Sequence, residues 1–213
     1  MKVERIVKLT NETASIFLDD QSELILSYEV IIKNGLRKGD EISESLFYLF
    51  KEENDKHLIR KKALALLARR IHSSRELQIK LLQKHFEKKL IDEVIKNLSE
   101  SKLINDEVFA QIFLEEKSRI KHWGKSKLKI ELMKRGIQKN IIDDIIPASF
   151  IEDEEQIKTL ASKKLHILEK RNYTDQQIKQ KLFSFLLSKG YDFESIRNCT
   201  QKMLTHNDEN SDY

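Results

Sequence analysis

Glycine and proline are scarce in this sequence of 213 residues, which holds five glycines, one proline and one cysteine. Sheet proteins with many turns need both residue types, whereas the Lys, Glu, Leu and Ile that dominate here favour long helices with short connections. The lone cysteine, Cys199, cannot form an intramolecular disulfide bond. The composition therefore predicts a mainly helical protein without a disulfide framework.

Long hydrophobic runs are missing as well. Charged residues interrupt every apolar stretch, so no segment reaches the roughly 18 apolar residues that a membrane-spanning helix needs. No N-terminal segment combines a charged start with an apolar run of secretory length. We therefore expect a cytoplasmic protein that has no membrane partner.

Common catalytic and metal-binding signatures are also absent from the sequence. Neither G-x-x-x-x-G-K nor G-x-G-x-x-G occurs, and the six histidines lack the spacing that assembles a metal site. Cys199 occupies an apolar position of a predicted helix, which favours a core residue over a nucleophile. The acidic clusters at 143–144 and 152–155 lie near predicted helix ends, where they interact with the helix dipole. We expect a protein without enzymatic activity, cofactor or metal.

The first 54 residues differ from the rest and predict a small α+β extension. Three segments rich in β-branched and apolar residues predict two or three short strands, at residues 3–9, 13–18 and 24–26. A turn or two of helix is expected at 27–34, stopped by Gly35, and Ser43 is a suitable N-cap for another short helix.

From about Asp55 onward the sequence repeats with a period of about 50 residues. The segment that begins at Glu76 matches the one at Lys127, a shift of 51, and then the one at Lys181, a further shift of 54. Repeats of this length are typical of helical arrays with three helices in each unit. We predict repeat 1 at 55–104, repeat 2 at 105–150, repeat 3 at 151–204 and a disordered tail at 205–213.

Capping residues mark the predicted helix ends. Ser73 followed by Glu76 is a capping-box pattern, and Asn105 before two acidic residues is another good helix start. Gly136 and Gly190 stand where the middle helices of repeats 2 and 3 should end, and His85 takes this place in repeat 1. The predicted helices span residues 55–71, 73–85, 88–100, 105–122, 125–135, 138–147, 152–170, 174–189 and 192–204.

Positive charge is concentrated in the middle of the chain. Residues 56–135 carry 21 basic and 10 acidic side chains, whereas the segments before and after have a net negative charge. Such an excess is typical of a phosphate-binding surface, although a solvated, lysine-rich helix face explains the charge alone equally well.

Trp123 lies among these cations, where packing is a better explanation than stacking on a base. The candidate binding residues surround two helix junctions: Arg69, Arg70, Arg75, Lys80 and Lys84 in repeat 1, and Lys117, Arg119, Lys121, Lys125 and Lys127 in repeat 2.

Three sequence blocks between about residues 58 and 147 carry a family pattern. They are Ala63-Leu64-x-Leu66-Leu67-Ala68-Arg69-Arg70-x-His72-Ser73-x-x-Glu76-Leu77, then Leu103-Ile104-Asn105-Asp106-Glu107-x-Phe109-Ala110, then Gly124-x-x-x-Leu128-x-x-Glu131-Leu132-x-x-x-Gly136-Ile137. In this order and spacing they resemble the RecX family, the regulators of the RecA recombinase. Repeat 3 matches less closely, and we assign no binding residue to it.

The resemblance implies a mainly α fold in which tandem three-helix repeats form an elongated, curved array behind the N-terminal α+β cap. It further implies a modulator, mainly an inhibitor, that lies in the groove of the RecA filament on single-stranded DNA. Filament growth, ATPase, strand exchange and coprotease activity would then be limited, which affects homologous recombination, DNA repair and the SOS response. The candidate cations would position the chain without reading bases.

Two other functions stay open at this point. The basic middle of the chain would also suit a free-standing DNA- or RNA-binding protein that is independent of RecA. A protein adaptor whose lysines only keep it in solution is the third possibility. The preferred DNA form, single- or double-stranded, is open too, and a monomer is our expectation for the oligomeric state.

Overall fold

A computed structural model describes residues 1–147 and 153–209, with side chains described as far as residue 201. This part of the chain contains three strands and ten helices, so the prediction of a mainly α fold with a small strand-bearing extension is confirmed. Two compact units, Met1–Ile104 and Asn105–Tyr213, make up the chain, and we call them the N-terminal and C-terminal units. None of the described helices is both long and apolar enough to cross a membrane.

The N-terminal unit begins with a three-stranded antiparallel sheet. Its strands lie in chain order and are β1 (Val3–Lys8), β2 (Thr13–Leu18) and β3 (Glu23–Ser27). One face of the sheet buries Ile16, Leu24 and Leu26. The short helix α1 (Tyr28–Lys33) follows, and Gly35, at φ +62°, turns the chain after it. The predicted strands and the predicted stop at Gly35 are confirmed.

A single long helix, α2 (Glu44–Leu67), joins the sheet to the first three-helix repeat. The sequence predicts a boundary between residues 54 and 55 with a separate helix on either side, and the continuous helix shows that this prediction is wrong. No glycine or proline interrupts the segment. Phe50 belongs to the core of the sheet while Ile59 belongs to the core of the repeat, so the helix is continuous because both halves are buried. Asn54 accepts hydrogen bonds from the backbone and hydroxyl of Ser27 at 2.8 and 2.9 Å.

Two further helices complete the N-terminal unit, α3 (Ser74–Leu82) and α4 (Lys88–Glu100). The predicted cap is present, because the Ser73 hydroxyl accepts the Glu76 backbone N–H at 3.1 Å. His85 has a φ of +64° and turns the chain between the helices, as predicted. The core of this bundle consists of apolar side chains from three helices, which include Ile59, Ala63, Leu77, Leu81, Ile91, Val94 and Leu98.

The C-terminal unit contains the remaining six helices. They are α5 (Asp106–Lys121), α6 (Lys125–Lys134), α7 (Lys139–Ile145), α8 (Glu154–Glu169), α9 (Asp175–Ser188) and α10 (Phe193–Glu209). The Asn105 side chain accepts the backbone N–H groups of Glu107 and Val108, which confirms the predicted start of α5. Gly136 and Gly190 have φ values of +76° and +92°, as their predicted turns require. Cys199 is buried with Leu182 and Leu186 and is a core residue.

The end of α10 differs from the sequence analysis. Residues 205–209, predicted to start a disordered tail, continue this helix to Glu209. No glycine or proline lies within α10 to stop the helix earlier, so polar composition alone was a poor guide. The last four residues of the predicted tail, and the predicted start of α8 at residue 152, lie outside the described residues.

The start of α6 lies against the end of α9 with backbone touching backbone. The Gly124 N–H donates to the Lys189 carbonyl at 2.9 Å, and the Ser126 N–H donates to the Gly190 carbonyl at 3.1 Å. A Cβ atom on Gly124 would lie 2.6 Å from backbone atoms of Gly190, and one on Gly190 would lie 2.3 Å from Lys127 Cβ. Both positions therefore exclude any side chain.

We expect Gly190→Ala to destabilise the protein more than Gly39→Ala. Both glycines have a positive φ, +92° and +95°, but a Cβ on Gly39 would meet nothing within 4 Å. The strained φ costs about 1–2 kcal/mol in either variant, and crowding against Lys127 adds roughly 1–3 kcal/mol for Gly190→Ala alone. Urea unfolding followed by circular dichroism measures both losses. Equal losses would contradict the close contact between α6 and α9.

Candidate functional site

The predicted cations of repeat 1 surround the turn between α2 and α3, and one of them is engaged in an ion pair. Arg70 Nη1 lies 2.9 Å from Glu76 Oε2 and 2.8 Å from the Ile71 carbonyl. Arg75 donates to the side chain of Gln78. Arg69, Arg75 and Lys84 are exposed, and Lys80 is half-buried. The turn thus presents cations, but a carboxylate neutralises part of their charge.

A buried histidine fixes the backbone of this turn. His72 is 2% exposed, and its Nδ1 lies 2.8 Å from the Arg70 carbonyl. Because a carbonyl only accepts, Nδ1 carries the proton, and Nε2 is buried without a hydrogen-bond partner among the described residues. Burial is the main cause that lowers the pKa of His72, and the charges of Arg70 and Lys80 add to it, while the Arg70 carbonyl and Glu76 oppose it. The imidazole is therefore held neutral in the folded chain.

Acid should destabilise the protein through His72. A folded-state pKa below the ordinary value of about 6.5 means that the unfolded chain binds the proton more readily. The stability contributed by the neutral imidazole is therefore fully present above about pH 6.5 and is lost as the pH falls towards the lowered pKa. We expect the difference in unfolding free energy between the wild type and His72→Asn to shrink from about pH 7.5 to about pH 5.5.

Thermal and urea unfolding over this pH range test the prediction. The matched control is His85→Asn, because His85 is exposed and asparagine also tolerates its positive φ. The control shows how far removal of an exposed imidazole changes the difference from the wild type over the same pH range. A His72→Asn difference that shrinks no more than that of the control would show that His72 does not contribute to the acid sensitivity.

The predicted cations of repeat 2 surround the turn between α5 and α6. Arg119 and Lys121 lie exposed in the last turn of α5, where cations are favourable, and Lys117 lies half-buried one turn earlier. His122 then adopts a left-handed conformation, at φ +49°, which turns the chain. Lys125 and Lys127 occupy the first turn of α6, which contains no acidic residue. Two cations at the positive end of a helix dipole are unfavourable for that helix.

The shift of 51 residues relates the two turns and shows how they differ. Ser73, which caps α3, corresponds to Gly124, and Gly124 supplies no side-chain cap to α6. Glu76, which pairs with Arg70, corresponds to Lys127. A hydroxyl and a carboxylate in repeat 1 are thus replaced by a bare backbone and a cation in repeat 2. Repeat 2 therefore has no counterpart of the Glu76 carboxylate at the matched position, and an ion pair near its turn joins Lys117 to the neighbouring Glu116.

Two aromatic rings contact the cations of the second turn. Trp123 is half-buried and its ring centroid lies 6.1 Å from that of Phe113. Lys127 Nζ lies 5.1 Å from the centre of the Trp123 ring, and the cationic groups of Lys117 and Arg135 lie over the Phe113 ring at 5.5 and 4.4 Å. Trp123 therefore packs within the unit, as the sequence predicts, and cation–π contacts order the neighbouring lysines.

Repeat 3 contributes a cation that the sequence analysis did not predict. Lys189 follows α9 and is half-buried, with its Nζ 5.4 Å from the centre of the Phe185 ring. Burial lowers the pKa of Lys189, and the charges of Lys127 and Lys121 lower it further. The internal repeat does contain a signal for this cation, because Lys189 corresponds to Arg135 in repeat 2 and to the candidate Lys84 in repeat 1. Its contact with the start of α6 depends on how α9 packs, which the matched position does not show.

The structure thus brings together two of the ten predicted residues and distributes the ten over the two units. Lys121 and Lys127 act electrostatically on one side chain, Lys189. The five candidates of repeat 1 belong to the N-terminal unit and the five of repeat 2 to the C-terminal unit. Among the residues that the structure describes, no group of three or more His, Cys, Asp or Glu side chains is placed to hold a metal ion. The arrangement is suited to binding an anion.

Models of protein families match most of the helical part of the chain. Those of the first, second and third three-helix domains of RecX match residues 60–98, 105–145 and 152–200. These matches follow the order of the three repeats.

Whole sequences and solved structures agree with these matches. The regulatory protein RecX of Clostridium perfringens (strain 13 / Type A) is 31% identical over 195 residues, which cover 91% of both chains. That of Clostridium tetani (strain Massachusetts / E88) is 29% identical over 209 residues, covering 95% of this chain and 96% of the relative. A crystal structure of a regulatory protein RecX has a TM-score of 0.71 at 21% identity and covers 94% of this chain and 98% of its own. The crystal structure of RecX from Lactobacillus salivarius has a TM-score of 0.60 at 24% identity and covers 70% of this chain and 97% of its own. Both structures support the fold.

Proposed function

This chain belongs to the RecX family of regulatory proteins, and on that premise we propose that it modulates, mainly by inhibition, the RecA recombinase. It binds the RecA filament on single-stranded DNA and limits filament growth, ATPase, strand exchange and coprotease activity. Homologous recombination, DNA repair and the SOS response are the processes it regulates. It acts in the cytoplasm as a monomer and has no enzymatic activity of its own.

The observation that carries this proposal is the group of cations around the turn between α5 and α6. Arg119 and Lys121 are exposed there, and Lys125 and Lys127 occupy the first turn of a helix that they do not stabilise. A charge arrangement that costs helix stability is expected where a function requires it. A polyanionic filament surface attracts these cations, and the salt concentration sets the distance over which it does so.

The cations of repeat 1 support the same function less strongly. Arg69 and Arg75 are exposed and can reach a partner, but Arg70 already pairs with Glu76. An exposed ion pair of this kind is worth little to folding, so a partner can replace it at small cost. We therefore assign the repeat 1 cations a secondary contribution.

A triple variant of the repeat 2 cations tests the proposal. We expect the wild type to inhibit the single-stranded-DNA-dependent ATPase of the cognate RecA at less than one chain per RecA subunit. Arg119→Ala/Lys121→Ala/Lys125→Ala should raise the concentration needed for inhibition at least about tenfold, because charge contacts to a polyanion are lost. Higher salt should weaken the wild type more than the variant, because fewer ion-dependent contacts remain in the variant.

The matched control removes the same charge from the same unit. Lys163, Lys170 and Lys179 are exposed and lie on α8, after α8 and on α9, away from both predicted turns in the sequence. Their triple alanine variant should inhibit RecA like the wild type. If both triple variants lose inhibition equally, net charge and not the turn is responsible.

A free-standing nucleic-acid-binding protein is the second candidate function. The same cations, with Trp123 among them, would bind single-stranded DNA or RNA without a filament. Absence of any effect on RecA at excess protein, together with tight binding to naked DNA, would contradict the first proposal and favour this one.

A further inference from the structure

We propose that the contact between α6 and α9 forms a binding site for a phosphodiester group of single-stranded nucleic acid, built from Lys121 and Lys127 of repeat 2 and Lys189 of repeat 3. The inference rests on the proposed function, because it names where the chain contacts the DNA that the filament holds. It differs from the sequence-based expectation, which assigned no binding residue to repeat 3.

Backbone contacts fix Lys189 next to the turn between α5 and α6. Its carbonyl accepts the Gly124 N–H at 2.9 Å, and the neighbouring Gly190 carbonyl accepts the Ser126 N–H at 3.1 Å. The hydroxyl of Tyr191 donates to the His122 carbonyl at 3.1 Å. Three hydrogen bonds between two chain segments therefore hold the backbone of Lys189 at this turn.

Lys127 is held in place by its own contacts. Its Nζ donates to the Ser188 carbonyl at 2.9 Å and lies over the Trp123 ring at 5.1 Å. An ammonium group has three N–H donors, so one hydrogen bond to the end of α9 leaves donors for an anion. A lysine fixed in this way loses little conformational entropy when an anion binds.

Like charges meet at this contact. Besides burial, the charges of Lys127 and Lys121 lower the pKa of Lys189. Like charges held together disfavour the folded state, and a bound anion relieves the repulsion. In repeat 1 the position that corresponds to Lys127 is Glu76, which balances Arg70 without any ligand.

The chemistry around the lysines favours a phosphodiester of a single strand over the carboxylate of a protein. A phosphate group offers several oxygens to donors that come from different directions, whereas a carboxylate pairs best with one planar group. Trp123 adds an aromatic side chain next to the cations, and cations with aromatic rings are the usual composition of surfaces that bind single strands. An acidic protein segment is the alternative that the experiment below separates.

Trp123 is the single tryptophan of the chain, so its fluorescence reports on this site directly. We would titrate the full chain with a 15-nucleotide oligo-dT at several salt concentrations. We expect the fluorescence of Trp123 to change on binding. Lys121→Gln/Lys189→Gln should weaken binding about tenfold at low salt and reduce the slope of log affinity against log salt by about 1.4, at about 0.7 for each lost contact with a single strand.

The control variant is Lys163→Gln/Lys179→Gln, which removes the same charge from exposed positions on α8 and α9. It should keep the wild-type slope. Lys121→Gln alone, at an exposed position, should lower the slope of log affinity against log salt by about 0.7. This single variant keeps the test valid if the change at half-buried Lys189 disturbs folding. Circular dichroism and the unfolding midpoint establish that each variant is folded.

A folded double variant with the affinity and slope of the wild type would overturn the site. So would a wild type that fails to bind oligo-dT while it binds an acidic peptide with a Trp123 signal. The RecA ATPase assay, run on the same variants, keeps the two proposals apart. If the oligo-dT titration disproves the site while the wild type still inhibits RecA, the proposed RecA function is unaffected. If the double variant loses salt slope but the wild type has no effect on RecA, only the site is supported.

Discussion

The packing of the α5–α6 turn on the end of α9 depends on two positions that have no side chain. Gly124 and Gly190 allow the two backbones to approach closely enough for the N–H groups of Gly124 and Ser126 to donate to the carbonyls of Lys189 and Gly190, just after α9. The first N–H groups of a helix have no partners inside it, so these carbonyls satisfy two donors at the start of α6. This contact replaces the side-chain cap that α6 lacks and joins repeat 2 to repeat 3 inside the C-terminal unit.

The same contact explains why the two corresponding turns carry different charged residues. In the N-terminal unit, Ser73 caps α3 and Glu76 balances Arg70, so the turn is stable without a ligand. In the C-terminal unit, a glycine takes the place of the cap and Lys127 takes the place of the acid. Stability there comes from the backbone of α9, which leaves the side chains around the turn free to be cationic. The same few residues thus stabilise the turn and carry the cations of the proposed binding surface.

Local signals in the sequence predicted most helix starts and turns because capping and left-handed residues act over only a few positions. Asn105, His85 and Gly136 are examples. The continuity of α2 could not be predicted in this way, because it depends on two separate cores that bury opposite ends of one helix. Lys189 was missed for a related reason. The repeat aligns Lys189 with Arg135 and Lys84, which are also basic. The contact between Lys189 and the start of α6 follows from tertiary packing, and the pattern of the repeat contains no information about which helix ends meet.

The central claim is that the cations of the turn between α5 and α6, together with Lys189, contact the RecA filament on single-stranded DNA. Acetylation of lysine amines, read residue by residue by mass spectrometry with and without the filament, tests it most directly. The account predicts that the filament slows modification of Lys121, Lys125 and Lys189, while Lys163, Lys170 and Lys179 react at unchanged rates. Protection of the second group, or equal reactivity of all six lysines in the bound chain, would contradict it.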